Sequence, residues 1–199
     1  MTIRFDDRVA IVTGAGNGLG RSHALSLAAR GAKVLVNDLG GARDGTSSSL
    51  SAAQKVVEEI QAAGGEAMAN GASVTDAAAV QKMVDDAGIL RDKSFAKMDL
   101  QDFAVVMDVH LMGAVNCTKA VWGIMRQQNF GRVVFTTSSS GLYGNFGQSN
   151  YGAAKMALVG LMNTLAIEGA KNDIRVNCLS PSAATRMTED VIPAEAVAA

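Results

Sequence analysis

The sequence has little cysteine and little charge, and it has no long hydrophobic run. Its 199 residues include 2 cysteines and 19% charged residues, and the net charge is -1. No basic stripe is present, so a nucleic-acid partner is not expected. No stretch reaches the roughly 20 apolar residues of a membrane span, and the N-terminus lacks an apolar signal region. These absences predict a soluble, cytoplasmic protein without a membrane or nucleic-acid partner.

The two cysteines, Cys117 and Cys178, both lie in apolar segments. They are predicted to be buried free thiols in a reducing compartment. Hydrophobic residues make up 48% of the chain, which is enough for a globular core. Length predicts one domain over 1–199, since there are no repeats and no clear boundary. No metal-ligating motif is identified, so no metal is expected.

A glycine-rich stretch near the N-terminus follows a short apolar run. Val9–Val12 is typical of a strand that is buried on both faces. Directly after it comes Thr13-Gly-Ala-Gly-Asn-Gly-Leu-Gly20, and a helix is predicted over 21–30. Glycines let the backbone approach a pyrophosphate, and the helix N-terminus offers N–H groups to phosphates. Strand, loop and helix in this order indicate a dinucleotide site, with a plain glycine-rich turn as the alternative.

A carboxylate ends the second predicted strand, 34–36. Asp38 lies twenty residues after Gly18, where it can accept hydrogen bonds from the adenosine ribose hydroxyls. Its charge would repel a 2′-phosphate, and Asn17 supplies no cation to offset it. Asp38 therefore favours NAD over NADP. The alternative is an aspartate that caps its own loop.

The remaining elements follow from the spacing of apolar residues. Helices are predicted over 50–63, from Thr75, over 100–128 and over 150–172, and strands over 66–70, 131–136 and 174–179. A polar, glycine-rich loop is expected over 40–49. Near residue 88 a parallel sheet needs a fourth strand, yet only Ile89 and Leu90 are apolar there. Two helices would then follow each other without a return strand, so a strand is missing near 87–88.

Tyr151 and Lys155 lie four residues apart on the last predicted helix, so their side chains share one face. An ammonium beside a phenol favours the phenolate and lowers its pKa. Such a phenol can exchange a proton with a substrate oxygen, and the hydroxyl of Ser138, just beyond a strand end, could hold the same oxygen. The pattern predicts proton transfer to a carbonyl or from an alcohol. Surface residues at the same spacing are the alternative.

Together these residues resemble the short-chain dehydrogenase/reductase family over almost the whole chain. The likeness implies a Rossmann-type, doubly wound parallel α/β sheet in one dinucleotide-binding and catalytic domain. It also implies that Tyr151 acts as the base, that Lys155 holds the ribose and that Ser138 binds the reacting oxygen. The cofactor is expected to be NAD. The cofactor contacts that the resemblance implies are Gly14, Asn17, Gly18, Leu19, Gly20, Asp38, Ser73, Val74, Gly88, Tyr151, Lys155, Pro181 and Thr185.

The sequence resembles one branch of the family more closely than the family in general. The loop after Asp38 and the stretches 88–95, 141–148 and 186–188 are similar to the (3R)-hydroxyacyl-CoA dehydrogenase domain of multifunctional β-oxidation enzymes. This implies oxidation of a 3-hydroxyacyl-CoA to a 3-oxoacyl-CoA, and a peroxisomal location if the source is eukaryotic. The long helices 100–128 and 150–172, with the family likeness, predict a homodimer or homotetramer.

Three departures from the family pattern matter. Only Ala87-Gly88 remains of the motif that ends the fourth strand, and about fifteen residues are absent there, one strand and its lead-in. The helical asparagine of the proton relay is His110, which could relay protons or be a satisfied helix residue. The last strand is expected beyond Ala199.

Two explanations of the missing strand remain open. Either the sequence omits a segment of the folded protein, or the chain is truly shortened. The first is favoured, because losing a central strand exposes strand edges. It predicts that a Cα–Cα step between Asp86 and Gly88 far exceeds the roughly 3.8 Å of a trans peptide.

Two alternative functions are retained. Within the family, the chain could be a reductase of another ketone, such as 3-oxoacyl-carrier-protein. From another class, it could be a non-catalytic NAD-binding module that keeps the fold, although Ser138, Tyr151 and Lys155 argue against this.

Overall fold

The computed structural model describes residues 3–40, 50–73, 75 and 92–181. These residues belong to two compact units, one containing residues up to 73 and one containing 92–181, and each is described by itself. Several predictions lie outside the described residues. They are the loop at 41–49, the helix after Thr75, the missing fourth strand with its Cα step, and the chain beyond 181.

The first unit is built on a three-stranded parallel sheet in the order β1-β2-β3. Its strands are β1 (Val9–Val12), β2 (Lys33–Asn37) and β3 (Ala67–Asn70), and its helices are α1 (Gly18–Ala28) and α2 (Ser51–Ala62). The registers pair Val12 with Val36 and Asn37 with Asn70. The strands therefore end at one edge, where the glycine loop and Asp38 begin.

Small and branched apolar side chains fill the core of this unit. Val34 and Val36 of β2 are buried, and so are Ala24 of α1 and Val56 and Ile60 of α2. Burying a valine or isoleucine contributes about 1.5–3 kcal/mol. Alanines on α1 let that helix approach the sheet closely, which fixes its N-terminus beside the strand ends.

The second unit is built on a parallel pair, β4 (Gly131–Thr136) and β5 (Ile174–Leu179), in register along six residues. A long helix, α6 (Ser149–Gly169), packs on this pair. The core between them contains Phe135, Leu158 and Ile174. The other elements are two 3-10 turns, Phe95–Lys97 and Ala170–Asn172, and the helices α3 (Leu100–Met107), α4 (Gly113–Gln127) and α5 (Ser139–Tyr143).

Two features of the second unit differ from the sequence prediction. The single helix predicted over 100–128 is interrupted by a π-helical turn, Asp108–Met112, which joins α3 to α4. A π turn accommodates one extra residue, which the spacing of apolar residues does not reveal. The short helix α5 directly after Ser138 was also not predicted.

Neither cysteine of the second unit is fully buried. Cys117 and Cys178 form no disulfide, and they are only half-buried and not fully buried as predicted. Among the described residues, none of the helices combines the length and the apolar character that crossing a bilayer requires.

Candidate active site

The glycine loop between β1 and α1 is shaped by the absence of side chains. Gly14 and Gly18 have positive φ angles of 59° and 54°, which glycine adopts without strain. A Cβ at Gly20 would lie 2.2 Å from the carbonyl oxygen of Gly14. The loop therefore folds tightly against the first turn of α1, whose N–H groups have no partners within the helix. This is the cradle that a pyrophosphate requires.

Asp38 is buried beside this loop, and backbone N–H groups hold both of its carboxylate oxygens. Gly16 N donates to Oδ2 at 2.7 Å, and Gly40 N donates to Oδ1 at 2.8 Å. The bond to Gly40 is the loop-capping role that the sequence predicts as the alternative. Each carboxylate oxygen can accept a further bond, so the acceptors for ribose hydroxyls remain. The loop and this carboxylate fit a dinucleotide.

Ser138 stands at the carboxyl end of β4 and begins α5. Its Oγ accepts a hydrogen bond of 3.2 Å from Ser140 N, which caps the short helix. The same hydroxyl lowers the pKa of the Tyr151 phenol through a side-chain hydrogen bond. The end of β4 thus places Ser138 beside the phenol.

Tyr151 and Lys155 share one face of α6, one turn apart. The Lys155 Nζ lies 5.5 Å from the centroid of the Tyr151 ring. Lys155 is only 8% exposed, and its Nζ donates to the carbonyl oxygen of Thr136 at 2.8 Å. The ammonium therefore lies over the phenol ring and is anchored to the end of β4.

The pKa values in this cluster contradict one part of the sequence prediction. Lys155 was expected to lower the pKa of Tyr151, but burial raises the pKa of that phenol. The hydrogen bond from Ser138 opposes the rise, and the negative charge of Asp92 adds to it. Burial also lowers the pKa of Lys155 to about 8. The prediction was wrong because it considered the charge pair and omitted desolvation, which is the larger effect here.

His110 completes the cluster from the π turn. Its ring meets the Tyr151 ring edge to face, with centroids 4.9 Å apart and planes at 86°. The imidazole is buried. π turns are frequent at functional sites, and this one aims a polar ring at the phenol. Ser138, Tyr151, Lys155 and His110 are therefore brought together, as the sequence suggested.

The other predicted cofactor contacts are dispersed over the two units. Asn17 and Gly18 are exposed, whereas Leu19, Ser73 and Pro181 are half-buried. Val74, Gly88 and Thr185 lie outside the described residues.

Sequence reasoning missed two residues that hold this cluster in place. Thr137 donates from Oγ1 to the carbonyl oxygen of Lys155 at 2.7 Å. Gln148, just before α6, donates from Nε2 to Asp92 at 2.6 Å. One indication of their role was present in the sequence, their closeness to the predicted catalytic residues. Thr137 directly precedes Ser138, and Gln148 lies three residues before Tyr151. Position alone does not reveal the partner of a side chain.

Comparison with known proteins decides the family. A family model described as short chain dehydrogenase matches residues 8–196. The chain belongs to the short-chain dehydrogenase family. Its fold is accordingly the Rossmann-like α/β fold of that family, with parallel sheets, as the sequence predicted.

Three relatives are informative. Peroxisomal multifunctional enzyme type 2 of Drosophila melanogaster is 54% identical over 96% of this chain and 34% of that protein. Its solved structure has a TM-score of 0.80 and covers 96% of this chain and 32% of that one. This short-chain dehydrogenase chain thus spans about one third of the length of that relative.

This chain covers more than two thirds of the length of each of the other two relatives. A 3-oxoacyl-[acyl-carrier-protein] reductase of Synechocystis is 41% identical over 92% of this chain and 77% of that protein. A structure of 7α-hydroxysteroid dehydrogenase, complexed with NADH and 7-oxo glycochenodeoxycholic acid, has a TM-score of 0.86 at 28% identity. It covers 97% of this chain and 78% of that one.

Proposed function

We propose that this chain is an NAD-dependent dehydrogenase that oxidises a (3R)-3-hydroxyacyl-CoA to a 3-oxoacyl-CoA. The observation that carries the proposal is the cluster in which Lys155 and His110 pack against the ring of Tyr151, while the hydroxyl of Ser138 lowers the pKa of its phenol. Membership of the family and 54% identity to a peroxisomal multifunctional enzyme support the substrate class.

The glycine loop and Asp38 support NAD as the cofactor. The loop would hold the pyrophosphate on the first turn of α1, and the spare acceptor positions of Asp38 would bind the ribose hydroxyls. A buried carboxylate would also repel the 2′-phosphate of NADP. When bound there, NAD would supply the acceptor for the hydride of the alcohol carbon.

The catalytic cluster would handle the proton of the same alcohol. Ser138 would donate a hydrogen bond to the reacting oxygen and hold it beside the phenol. Tyr151, as phenolate, would take the hydroxyl proton while the C–H electron pair leaves as hydride, so that a carbonyl forms. The Lys155 ammonium, anchored to Thr136, would hold the ribose. His110, against the ring edge, would pass the proton onward.

Exposed apolar side chains near the cluster support a substrate with an acyl chain. Leu142 and Phe146 are exposed, and both lie on the segment between Ser138 and Tyr151. Phe95 is exposed as well. Its segment is tied to the same loop, because Lys93 N donates to the carbonyl oxygen of Gly147 at 2.9 Å. A fatty acyl chain would cover such apolar surface.

Turnover of acyl-CoA thioesters tests the proposal directly. The purified protein is given (3R)-3-hydroxyacyl-CoA thioesters of several chain lengths with NAD, and NADH formation is followed by absorbance. We expect turnover with the 3R thioesters, little with the 3S enantiomers, and a lower KM for chains long enough to reach Phe146. Absence of turnover on every thioester would overturn the substrate assignment.

A pair of tyrosine variants separates catalysis from cofactor binding. Tyr151→Phe removes the phenolic hydroxyl and is expected to abolish turnover while NAD still binds. Tyr143→Phe is the matched control, because this exposed tyrosine has no role in the reaction proposed here. Unchanged turnover in Tyr151→Phe would remove this residue from the mechanism, and NAD binding without turnover in the parent chain would favour a non-catalytic binding module.

The second candidate is a 3-oxoacyl-carrier-protein reductase, and the 41% identity to such an enzyme favours it. The two candidates differ in the cofactor and in the carrier of the acyl group. The test compares turnover with NAD against NADP, and turnover of CoA thioesters against carrier-protein thioesters. Preference for NADP with the carrier-protein thioester would replace the first candidate with the second.

Assembly and location complete the proposal. We propose a homodimer or homotetramer that forms through α3–α4 and α6, whose outer faces carry exposed apolar residues. We also propose a cytoplasmic location, or a peroxisomal one in a eukaryote. Relatives named as peroxisomal support the second location.

A further inference from the structure

Three consecutive residues at the end of β4 contact one turn of α6. The carbonyl oxygen of Thr136 accepts from Lys155 Nζ at 2.8 Å. The hydroxyl of Thr137 donates to the carbonyl oxygen of Lys155 at 2.7 Å. The hydroxyl of Ser138 lowers the pKa of the Tyr151 phenol. Two direct hydrogen bonds therefore join the strand end to the helix turn that carries the proposed catalytic pair, and Ser138 directly follows the residues that make them.

The bond made by Thr137 is the one that the reaction does not require. The Lys155 carbonyl lies inside α6, where helix geometry already supplies an N–H donor four residues on. The Thr137 hydroxyl therefore uses the second lone pair of that oxygen, and the helix would form without it. Its effect is to join α6 to the strand end.

Thr137 is itself held rigidly. It is only 3% exposed, and its N–H donates to the carbonyl oxygen of Leu179 at 2.8 Å, so it is fixed to the end of β5 as well. A threonine has few side-chain rotamers, and a buried hydrogen bond is expensive to leave unmade. The position of Lys155 is thus fixed by contacts with the sheet as well as by its own helix.

We propose that Thr137 is a positioning residue that sets the register between Ser138 and Tyr151. Without its hydroxyl, α6 can shift along the strand end, and a shift that separates the Ser138 and Tyr151 hydroxyls weakens the interaction between them. The effect of Thr137 on turnover rests on the function proposed above. The effect of Thr137 on the pKa of Tyr151 is independent of that function.

The ionisation of Tyr151 tests the proposal without any cofactor. The chain has 2 tyrosines, so Tyr143→Phe leaves Tyr151 as the sole phenol, whose tyrosinate absorbance is followed against pH. The Ser138 hydrogen bond lowers the pKa of Tyr151, and loosening it in Thr137→Val is expected to move the titration to higher pH. Thr137→Ser keeps the hydroxyl and is expected to restore the parent titration. An unmoved titration in Thr137→Val would overturn the proposal.

Thr118 provides a matched control for stability. Its hydroxyl is also buried, in a residue 6% exposed, and it donates to the carbonyl oxygen of Ala114 at 2.8 Å. Thr118→Val thus removes the same chemical bond from a site within α4. It is expected to lower the unfolding temperature without moving the Tyr151 titration. A titration that moves equally in Thr118→Val would assign the effect to general loosening and overturn the proposal.

Turnover provides the second readout. We expect kcat to fall by roughly tenfold in Thr137→Val while both KM values stay nearly constant, because misplacement of reacting groups costs rate more than binding. Thr137→Ser is expected to recover most of kcat. A kcat equal to that of the parent would overturn the proposal. If the parent turns over none of the substrates, the function proposed above fails, and the titration still decides the role of Thr137.

Discussion

Tyr151 is half-buried, and the desolvation of its hydroxyl decides how its charge responds to pH. The nearby ammonium of Lys155 is itself buried, and burial lowers its pKa to about 8. Desolvation disfavours the charged form of both groups, so it opposes the phenolate and the ammonium together. A charge pair read from sequence spacing is therefore an incomplete guide to a buried pKa.

Two substitutions around Tyr151 are expected to move its titration in opposite directions. Ser138→Ala removes the hydrogen bond that lowers the pKa of the phenol, so the titration moves to higher pH. Asp92→Asn removes the negative charge that raises that pKa, so the titration moves to lower pH. Both are measured as tyrosinate absorbance in a Tyr143→Phe background. Because oxidation needs the phenolate, the rising limb of turnover against pH is expected to move with each titration.

The control for this pair is Asp102→Asn. Asp102 forms an ion pair with Lys93 at 2.9 Å, so this change removes the same charge from the same region. It is expected to leave the Tyr151 titration in place. If the Tyr151 titration shifts equally in Asp92→Asn and Asp102→Asn, the change in net charge explains the shift, and a specific effect of Asp92 is contradicted.

Lys155 makes stability depend on pH. Its pKa is about 8 in the folded chain against 10.5 for an ordinary lysine. Between these values the unfolded chain binds more protons than the folded one, so the free energy of unfolding rises with pH across this window. Lys155→Met removes the buried ammonium. It is expected to raise the free energy of unfolding at pH 7 by roughly 1–3 kcal/mol, the lost bond to Thr136 offsetting part of the gain.

Denaturant unfolding at several pH values measures this effect. The advantage of Lys155→Met is expected to shrink as pH rises from 8 to 10.5. Lys171→Met changes an exposed lysine and is expected to alter the free energy of unfolding little at any pH. A Lys155→Met protein that is less stable than the parent at pH 7 would contradict the argument.

Among the elements, α5 and α6 approach each other at glycines. A Cβ at Gly141 would lie 2.9 Å from Met156 N and 3.0 Å from the Cβ of Lys155, and one at Gly152 would lie 3.0 Å from the carbonyl oxygen of Ser140. Real side chains almost never come so close. These glycines therefore let the helix that starts after Ser138 rest directly on the turn that ends at Lys155.

Gly141→Ala is expected to separate these two helices. The added methyl group meets backbone that cannot move aside, so we expect a loss of about 1–3 kcal/mol in the free energy of unfolding and a lower kcat. Gly123→Ala on α4 is the control, because nothing lies within 4 Å of its added Cβ. That variant is expected to be as stable as the parent or more stable by up to about 1 kcal/mol. Equal stability of Gly141→Ala and Gly123→Ala would contradict this packing.

For the molecule as a whole, the sequence predicted the elements that follow from the spacing of apolar residues and the loop conformations that follow from glycine. The described strands fall where apolar runs predicted them, and the glycine loop has the positive φ angles that its glycines allow. The π turn around His110 was not predictable, because the spacing of apolar residues does not show where the helix accommodates an extra residue. The bond from Thr137 to Lys155 was not predictable either, because a side-chain partner across eighteen residues depends on how the elements dock.

Self-association is the last property that the exposed residues predict. Ile124 on α4 is 61% exposed and Ile167 on α6 is 80% exposed, and large apolar side chains at these positions suit the interface of the proposed homo-oligomer. The double variant Ile124→Asp, Ile167→Asp places carboxylates on both faces, and their desolvation would oppose association. We expect sedimentation to give a dimer or larger species for the parent chain and a monomer for the variant. Ile3→Asp, at an isoleucine 67% exposed outside these helices, is expected to leave the assembly intact, and a monomeric parent would contradict an interface on α4 and α6.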